Sequence, residues 1–303
     1  TGCYFGSEDG MAVSARRTRC CWCLACPAIL AIWAVTGPTT AAERTDWFRQ
    51  AGWGVMTHYL GAPPSSSGGA ELTAEMWNRQ IDAFDVDGLA DQVASTGAGY
   101  LLFTIGQNSG HYCAPNKTYD DYVGISPSKC SRRDLIADLA KALKSRNIRL
   151  MVYLPSGAPA ADDVARKKLG WLWGRPGGWQ LPDEAVGGRL TEFQLKWEAV
   201  IREWSLRWGG DIAGWWIDGC YFADDMYRFD DEPNFASFAA ALRAGNSGSI
   251  VAFNPGVRVP VVAHTRQEDF AAGEVTLDRL AEALESCPGR WIERDGAKIQ
   301  FHV

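Results

Sequence analysis

The stretch Ala213-Gly-Trp-Trp-Ile-Asp-Gly219 decides the fold, because an apolar run ends there in one acid that a glycine follows. Trp215 and Ile217 alternate with their neighbours as the residues of a buried β-strand do. The glycine after Asp218 allows the chain to turn sharply. We therefore predict that Asp218 stands at the carboxyl end of a strand, where parallel α/β sheets carry their catalytic residues.

Strand-like and helix-like stretches alternate on both sides of this segment. The other strand-like stretches cover residues 52–58, 100–105, 148–154, 249–253 and 297–303. The helix-like stretches cover residues 87–96, 133–146, 191–208, 234–243 and 277–284, with Asp87 as the expected N-cap of the first. The alternation predicts the α/β class and a (β/α)8-type TIM barrel. Because six strands are found where a closed barrel has eight, the pattern indicates a barrel truncated before its last strands.

Composition narrows the class of partner. The chain has 303 residues, of which 47% are hydrophobic, so it can bury a large core and is not a disordered chain. Its formal net charge is −6, and its basic residues are scattered along the sequence. A scattered basic set indicates neither nucleic-acid binding nor attraction to an anionic membrane. A neutral ligand is the better expectation.

The N-terminal region is typical of an export signal. Several arginines follow Met11, then come the apolar residues 20–35 and the small residues 39–42. We predict that residues 1–42 are upstream sequence and a secretory signal peptide, and that residues 43–303 are a catalytic barrel domain, incomplete at its C-terminus. The expected location is secreted or periplasmic, without membrane contact after signal removal. The alternative is a retained N-terminal anchor.

Four cysteines follow the predicted signal: Cys113, Cys130, Cys220 and Cys287. Cys113 and Cys130 flank one loop that is rich in turn residues, and export would permit a disulfide between them. We predict that pairing, with four buried thiols as the alternative. Because these four cysteines show neither a CxxC motif nor a Cys/His spacing typical of metal sites, no metal centre is expected.

Polar residues follow three of the predicted strands. His58 ends the first, the group Gln107, Asn108 and His111 follows the second, and Asp218 ends the strand quoted above. Since parallel strands present their carboxyl ends at one edge, we expect these side chains to converge on one mouth. Taken alone, His58 and His111 are also compatible with core histidines, and Asp218 with a cap or a buried ion pair.

Several short segments resemble the α-L-fucosidase family of retaining glycoside hydrolases. They are Trp47-Phe-Arg49, Gly54-Val-Met-Thr-His58, Phe84-Asp-Val-Asp87 through Gly97-Ala-Gly-Tyr100, Trp216-Ile-Asp-Gly219 and Asp269-Phe-Ala-Ala-Gly-Glu274. The resemblance implies that Asp218 is the nucleophile and Glu274 the acid/base. It also implies that His58 binds a sugar, and that no metal or organic cofactor takes part.

The chain departs from the family pattern at two places. Gln107-Asn-Ser-Gly-His111 stands where family members usually carry His-His-Asp-Gly-Phe, and Asn254-Pro-Gly256 stands where they carry an arginine, with Arg258 nearby. Amides bind hydroxyls but carry no charge, so a changed sugar specificity is expected.

Glycosidic hydrolysis needs two carboxyl groups, one that attacks or stabilises the anomeric carbon and one that protonates the leaving oxygen. Besides Asp218 and Glu274, the sequence leaves Glu268, Asp224 and Asp225 open as alternatives for the acid. Sugar-binding side chains are predicted at His58, Gln107, Asn108, His111 and Trp216. The loop tryptophans Trp171, Trp173 and Trp179 either face sugar rings or fasten a loop to the barrel.

The sequence therefore predicts a glycoside hydrolase resembling α-L-fucosidases, with an oligosaccharide or polysaccharide as its substrate. Two alternatives remain open. One is a secreted carbohydrate-binding barrel without turnover, which the replaced histidine pair and the missing arginine suggest. The other is a glycosidase for a different sugar.

Overall fold

Five parallel strands form the central sheet. The computed structural model describes residues 41–61, 72–157, 159–171, 189–220, 226–287 and 289–303. The strands are β1 (Gly54–Thr57), β2 (Tyr100–Thr104), β3 (Arg149–Pro155), β4 (Ile212–Asp218) and β5 (Ile250–Phe253), and they pair in chain order. The prediction of the α/β class with successive parallel strands is confirmed. Asp218 is the last residue of β4, as the quoted segment predicts.

Helices precede or separate these strands in the described part of the chain. They are α1 (Ala41–Ala51), α2 (Ala74–Asp82), α3 (Val86–Thr96), α4 (Lys117–Val123), α5 (Leu135–Lys144), α6 (Asp163–Leu169), α7 (Thr191–Trp208), α8 (Phe235–Leu242) and α9 (Leu280–Glu285). The predicted stretches correspond to α3, α5, α7, α8 and α9. One detail is wrong: α3 is capped by Asp85, whose carboxylate accepts from the Gly88 amide at 2.9 Å, and not by Asp87.

The outer face of the sheet is apolar and covered by helices. Trp215 and Ile217 point to this face from β4, together with Phe103 from β2. Three tryptophans of α7, predicted as core from their helical spacing, are buried against this layer: Trp197, Trp204 and Trp208. Their indole nitrogens donate to the Pro115 and Pro155 carbonyls and to Asp134, which removes the cost of burying an N–H group.

The inner face carries the alternate residues of the same strands. A second cluster there consists of Tyr100, Leu102, Met151, Tyr153, Trp216, Ile250 and Ala252, with Phe48 from α1 and Phe270 and Ala272 from the chain after β5. Period-two alternation therefore separates a helix-covered face from an inner face. The inner face contains Asp218, because Trp216 and Asp218 lie two residues apart.

The predicted strand at residues 297–303 does not join the parallel sheet, so counting it among the barrel strands was wrong. Ala297–Gln300 (β7) pairs antiparallel with Trp291–Arg294 (β6). The connecting Asp295 and Gly296 have φ of 49° and 76°. A two-residue Asp-Gly turn with positive φ at both positions closes a tight hairpin. This turn pairs residues 297–300 with β6, so they are not a strand of the parallel sheet.

The segment beyond β7 returns to the inner face. His302 Nδ1 donates to the Ala272 carbonyl at 3.2 Å, so its Nε2 accepts from the Tyr100 hydroxyl at 3.1 Å. Burial lowers the pKa of His302 to about 4, which keeps the ring neutral. Its ring packs on Phe48 with a centroid distance of 5.1 Å. Helix α1 and the last residues of the described chain therefore contact each other on the inner face of the sheet.

The predicted Cys113–Cys130 disulfide is not formed. The four cysteines of the described residues are free, and Cys113, Cys130 and Cys220 are buried. The Cys113 thiol points into the core and donates to the carbonyls of Thr104 and Ile105 at 3.3 and 3.0 Å. Such a thiol is directed away from a loop partner, so the alternative of buried thiols holds for these three.

Within the described residues, none of the helices combines the length and apolar character that crossing a bilayer requires. The predicted signal peptide lies outside the described residues except for Ala41 and Ala42, which open α1.

Candidate active site

A cavity of about 430 Å³ lies on the inner face of the sheet. Its polar wall consists of His58, Tyr153, Asp218, Asn254 and Glu274, which approach from β1, β3, β4 and the chain after β5. Its apolar walls are formed by Phe48, Tyr100, Leu102, Met151, Trp216 and Phe270. The convergence of His58, Trp216, Asp218 and Glu274 on one cavity follows the arrangement that the sequence predicts.

Asp218 is held by neutral donors. Its backbone carbonyl accepts from the Ser156 amide at 2.8 Å, which fixes the end of β4 against β3. The Tyr153 hydroxyl donates to Oδ2 of its carboxylate, and the Asn254 amide nitrogen donates to Oδ1 at 2.8 Å. Each carboxylate oxygen therefore has one protein donor and a remaining lone pair.

Glu274 reaches the same amide nitrogen. Asn254 Nδ2 lies 2.7 Å from Oε2 of Glu274 as well as 2.8 Å from Oδ1 of Asp218. These two carboxylate oxygens are therefore no more than about 5.5 Å apart. That upper limit does not exceed the roughly 5–5.5 Å found in retaining glycosidases and lies below the wider gap of inverting ones.

Glycine at position 273 sets the place of Glu274. Gly273 has φ of 64°, and a Cβ atom there would lie 1.9 Å from the His302 carbonyl oxygen. Because the chain can approach the His302 backbone only without a side chain, this position requires glycine. The close approach brings the next residue, Glu274, to the cavity.

Tyr153 and His58 complete the polar wall. Burial and the neighbouring Asp218 carboxylate raise the pKa of Tyr153 well above its usual value, so the phenol stays protonated and donates. The His58 ring stands edge-on to the Tyr153 ring at 4.6 Å between centroids, with Nδ1 3.3 Å from the Thr104 hydroxyl. His58 is exposed toward the cavity and is not a core histidine.

The other predicted sugar ligands are not brought to this cavity. Gln107 is half-buried, and its amide donates to the Tyr153 hydroxyl at 2.7 Å. Asn108 uses its backbone carbonyl to accept from the Ala161 amide. His111 is 4% exposed and packs edge-on against Trp77. Burial and the nearby Lys129 ammonium lower the pKa of His111 to about 4, as expected for a neutral core ring.

The rival acid Glu268 faces away from the cavity. It is 1% exposed and accepts from the backbone amides of Phe253 and Thr265 at 3.0 and 2.9 Å. Burial raises the pKa of Glu268 to about 8. The structure therefore brings Glu274, and not Glu268, beside Asp218.

The remaining candidates divide between buried residues and residues outside the described ranges. Trp171 is buried and packs edge-on against Phe193 of α7 at 4.8 Å, so it presents no face to a ligand. Trp173, Trp179, Asp224 and Asp225 lie outside the described residues. Among the residues that the structure does describe, no three His, Cys, Asp or Glu side chains are grouped as metal ligands would be.

Sequence reasoning missed two residues of the polar wall, Tyr153 and Asn254. Tyr153 pairs with Trp216 in the β3–β4 register, and Asn254 directly follows β5. Inward alternation could have suggested both, because Tyr153 is two residues after Met151 and Asn254 two after Ala252. In the sequence, Asn254 stands out only as the place where the family pattern has an arginine.

The comparisons with known proteins give a fold likeness. No protein-family model matches the chain, and no curated protein matches it in sequence. The endo-fucoidan hydrolase P5AFcnA of glycoside hydrolase family 107 superposes with a TM-score of 0.56 at 17% identity, covering 82% of this chain and 73% of that one. The family 107 endo-fucoidan hydrolase MfFcnA4 also superposes with a TM-score of 0.56, at 19% identity over 83% of this chain.

This chain spans 40% of the length of MfFcnA4. An α-L-fucosidase of family GH29 from Bacteroides thetaiotaomicron aligns over 69% of this chain and 47% of its own, at 18% identity and a TM-score of 0.44. At these identities the likeness concerns the fold. The chain is therefore similar in fold to these two family 107 structures.

Proposed function

We propose that this protein is a retaining glycoside hydrolase with Asp218 as nucleophile and Glu274 as acid/base. The observation that carries the proposal is the pair of carboxylates that share the Asn254 amide nitrogen at 2.8 and 2.7 Å. That spacing suits direct attack by one carboxylate, because it leaves no room for an intervening water molecule. The fold likeness to glycoside hydrolases agrees with this chemistry and does not by itself establish it.

The reaction proceeds in two balanced steps. Protonated Glu274 gives its proton to the glycosidic oxygen while a carboxylate oxygen of Asp218 attacks the anomeric carbon, so the alcohol leaves and a glycosyl ester forms. Ionised Glu274 then takes a proton from water, whose oxygen attacks the anomeric carbon. The ester bond to Asp218 breaks, and the sugar departs with its original anomeric configuration.

The cavity suits an uncharged sugar with an apolar face. No Lys or Arg side chain is among the described residues of its wall, whereas two carboxylates are. A negative substituent about 5 Å from one carboxylate would be disfavoured by about 3 kcal/mol at an effective dielectric constant near 20. Trp216, Met151 and Leu102 offer apolar surface to a deoxy position. We propose an uncharged fucose-containing glycan, in line with the sequence resemblance to α-L-fucosidases.

The test is hydrolysis of aryl α-L-fucosides and other aryl glycosides by the wild type and by Asp218→Gly. Asp211→Asn is a matched control, because Asp211 is an exposed acid at the opposite end of β4 that pairs with Lys144. We expect hydrolysis by the wild type and the control alone, with NMR showing retention in the first product. Equal rates for the wild type and Asp218→Gly would refute the assignment.

One observation favours a second candidate, a carbohydrate-binding protein without turnover. The Asn254 amide donates to both carboxylates, and an arginine is expected at this position from the family pattern. Glycan-array binding without hydrolysis of any bound glycan would support this candidate over the enzyme.

A further inference from the structure

Gln107 does not line the cavity but contacts Tyr153, a residue of the cavity wall. It follows β2 in a turn in which its carbonyl accepts from the Gly110 amide at 3.1 Å. Its side-chain nitrogen lies 2.7 Å from the Tyr153 hydroxyl oxygen, and Tyr153, not Gln107, lines the cavity. Gln107 therefore contacts the residue that contacts Asp218.

The chemistry of the three groups fixes the direction of both hydrogen bonds. An ionised Asp218 can only accept hydrogen bonds, so the Tyr153 hydroxyl uses its single proton to donate a hydrogen bond to Oδ2. The Tyr153 oxygen is then left with acceptor capacity toward Gln107. The glutamine must present its nitrogen and not its carbonyl oxygen, which is the orientation found.

We infer that Gln107 is a positioning residue that acts on Asp218 through Tyr153, and that it is not a ligand of the sugar. Its amide donates a hydrogen bond to the Tyr153 oxygen, so the Tyr153 hydroxyl keeps its own hydrogen bond directed at Asp218 Oδ2. The Asn254 amide donates to Oδ1. With one donor on each oxygen, the carboxylate plane is fixed and a lone pair remains for attack. The catalytic part of this inference rests on the proposed function.

An amide is suited to this task because it does not titrate. A histidine at position 107 would either donate or accept depending on its tautomer and charge, and could withdraw the phenolic proton from Asp218. Glutamine keeps the direction of the two hydrogen bonds constant with pH. Gln107, which stands where the family carries a histidine, therefore acts on the proposed nucleophile and not on the sugar.

The test compares Gln107→Glu and Gln107→Leu with the wild type. Glutamate has nearly the same shape but accepts hydrogen bonds when ionised, so it competes with Asp218 for the Tyr153 proton. Leucine removes the donor without adding charge. Gln92→Glu is the matched control, because it makes the same substitution at an exposed site on α3. Thermal unfolding of each variant reports whether it folds.

We expect kcat on an aryl fucoside to fall roughly 10- to 100-fold in Gln107→Glu, the scale of one hydrogen bond to a charged group, with KM changed less than about 2-fold. The acid limb of the kcat/KM profile should move up by about one pH unit. A sugar ligand would behave differently: KM would rise at unchanged kcat with the same pH profile, and that result would overturn the inference.

A second readout does not depend on turnover. In 13C NMR, the titration midpoint of the Asp218 carboxyl carbon should rise in both Gln107 variants and stay unchanged in Gln92→Glu. In a Tyr153→Phe background, Gln107→Leu should have no further effect. An unmoved midpoint, or an additional shift in that background, refutes the role of Gln107. If the wild type hydrolyses no glycoside but the midpoint moves, the proposed function fails and the coupling of Gln107 to Asp218 stands.

Discussion

Two pairs of acids lie near β4 and β5, and their surroundings are opposite. Asp269 is fully buried, with Arg44 at 2.6 Å on Oδ1 and Arg243 at 2.5 Å on Oδ2, and Glu268 beside it accepts from backbone amides. Asp218 and Glu274 face a cavity and have neutral donors, Tyr153 and Asn254.

The difference shows which acids the fold uses for its own stability. Burying a carboxylate is unfavourable unless a cation or several donors compensate it, and Asp269 is compensated by two arginines that join α1 and the end of α8 to β5. Asp218 and Glu274 have no cation within the described wall of the cavity. The Asp218 carboxylate is therefore not neutralised by a cation of this wall, as its proposed role as nucleophile requires.

The largest effect should come from removing Glu274, one of the two acids without a neighbouring cation in the described wall. Glu274→Gln should lower hydrolysis of a glycoside with a poor leaving group by about 10²- to 10⁴-fold, the usual contribution of a general acid. A dinitrophenyl glycoside needs no protonation of its leaving group, so its glycosylation step should be much less affected. Steady-state and burst kinetics on both substrates check this. An equal loss of the glycosylation rate on both would remove Glu274 from the role of acid.

The compensated acid should matter for stability and not for chemistry. Asp269→Asn leaves Arg44 and Arg243 without their counter-charge, which should lower the free energy of unfolding by about 3 kcal/mol. Denaturant unfolding measures this, with Asp211→Asn as the control for an exposed pair whose loss costs up to about 1 kcal/mol. Activity per folded molecule should be retained; a variant that is stable but inactive would contradict the comparison.

Replacing Asn254 tests whether a neutral donor supports both carboxylates of the proposed catalytic pair. Asn254→Ala removes one donor from each carboxylate, so we expect kcat to fall about 10-fold and both limbs of the pH–rate profile to move to higher pH, because each carboxyl group then ionises less readily. A pH–rate profile of the variant beside the wild type provides the measurement. An unchanged profile would mean that the amide contributes nothing to the titration of the pair.

Glu268 should affect the slope of stability with pH and not the hydrolysis step. Burial raises its pKa to about 8, so the folded protein holds this proton more tightly than the unfolded chain does. Its contribution is therefore fully present below the usual glutamate pKa and is lost as pH rises toward 8, by at most about 1.4 kcal/mol per pH unit. Glu268→Gln should flatten the dependence of the unfolding free energy between about pH 5 and 8. A steeper dependence in the variant would contradict this sign.

Local patterns predicted the parts of the fold and site that depend on neighbours in sequence. The alternation of Trp215 and Ile217 gave the buried strand, and Asp218 followed at its carboxyl end. His58 and Trp216 line the cavity for the same reason, since each lies at or near the carboxyl end of an inward-facing strand. Asp-Gly at positions 295 and 296 was an equally local hairpin signal, and overlooking it misplaced the last strand.

Contacts between distant segments could not be predicted in this way. Glu274 reaches Asp218 because Gly273 approaches the His302 backbone, and nothing in the intervening sequence specifies that approach. His111 is buried because Trp77 of the unpredicted helix α2 covers it. Gln107 meets Tyr153 only through the register of β2 with β3, in which Thr104 lies opposite Tyr153.

The free thiol of Cys220 gives the candidate site a built-in reporter of its own opening. Cys220 lies two residues after Asp218, and its amide donates to the Asn254 carbonyl at 2.9 Å. Burial and the nearby Asp218 and Glu268 carboxylates raise its pKa well above the usual thiol value, so it is inert while this contact is closed. A thiol reagent can therefore modify Cys220 only when the surroundings of this buried thiol open. Peptide mapping of the modified residue over time would give the rate of that opening.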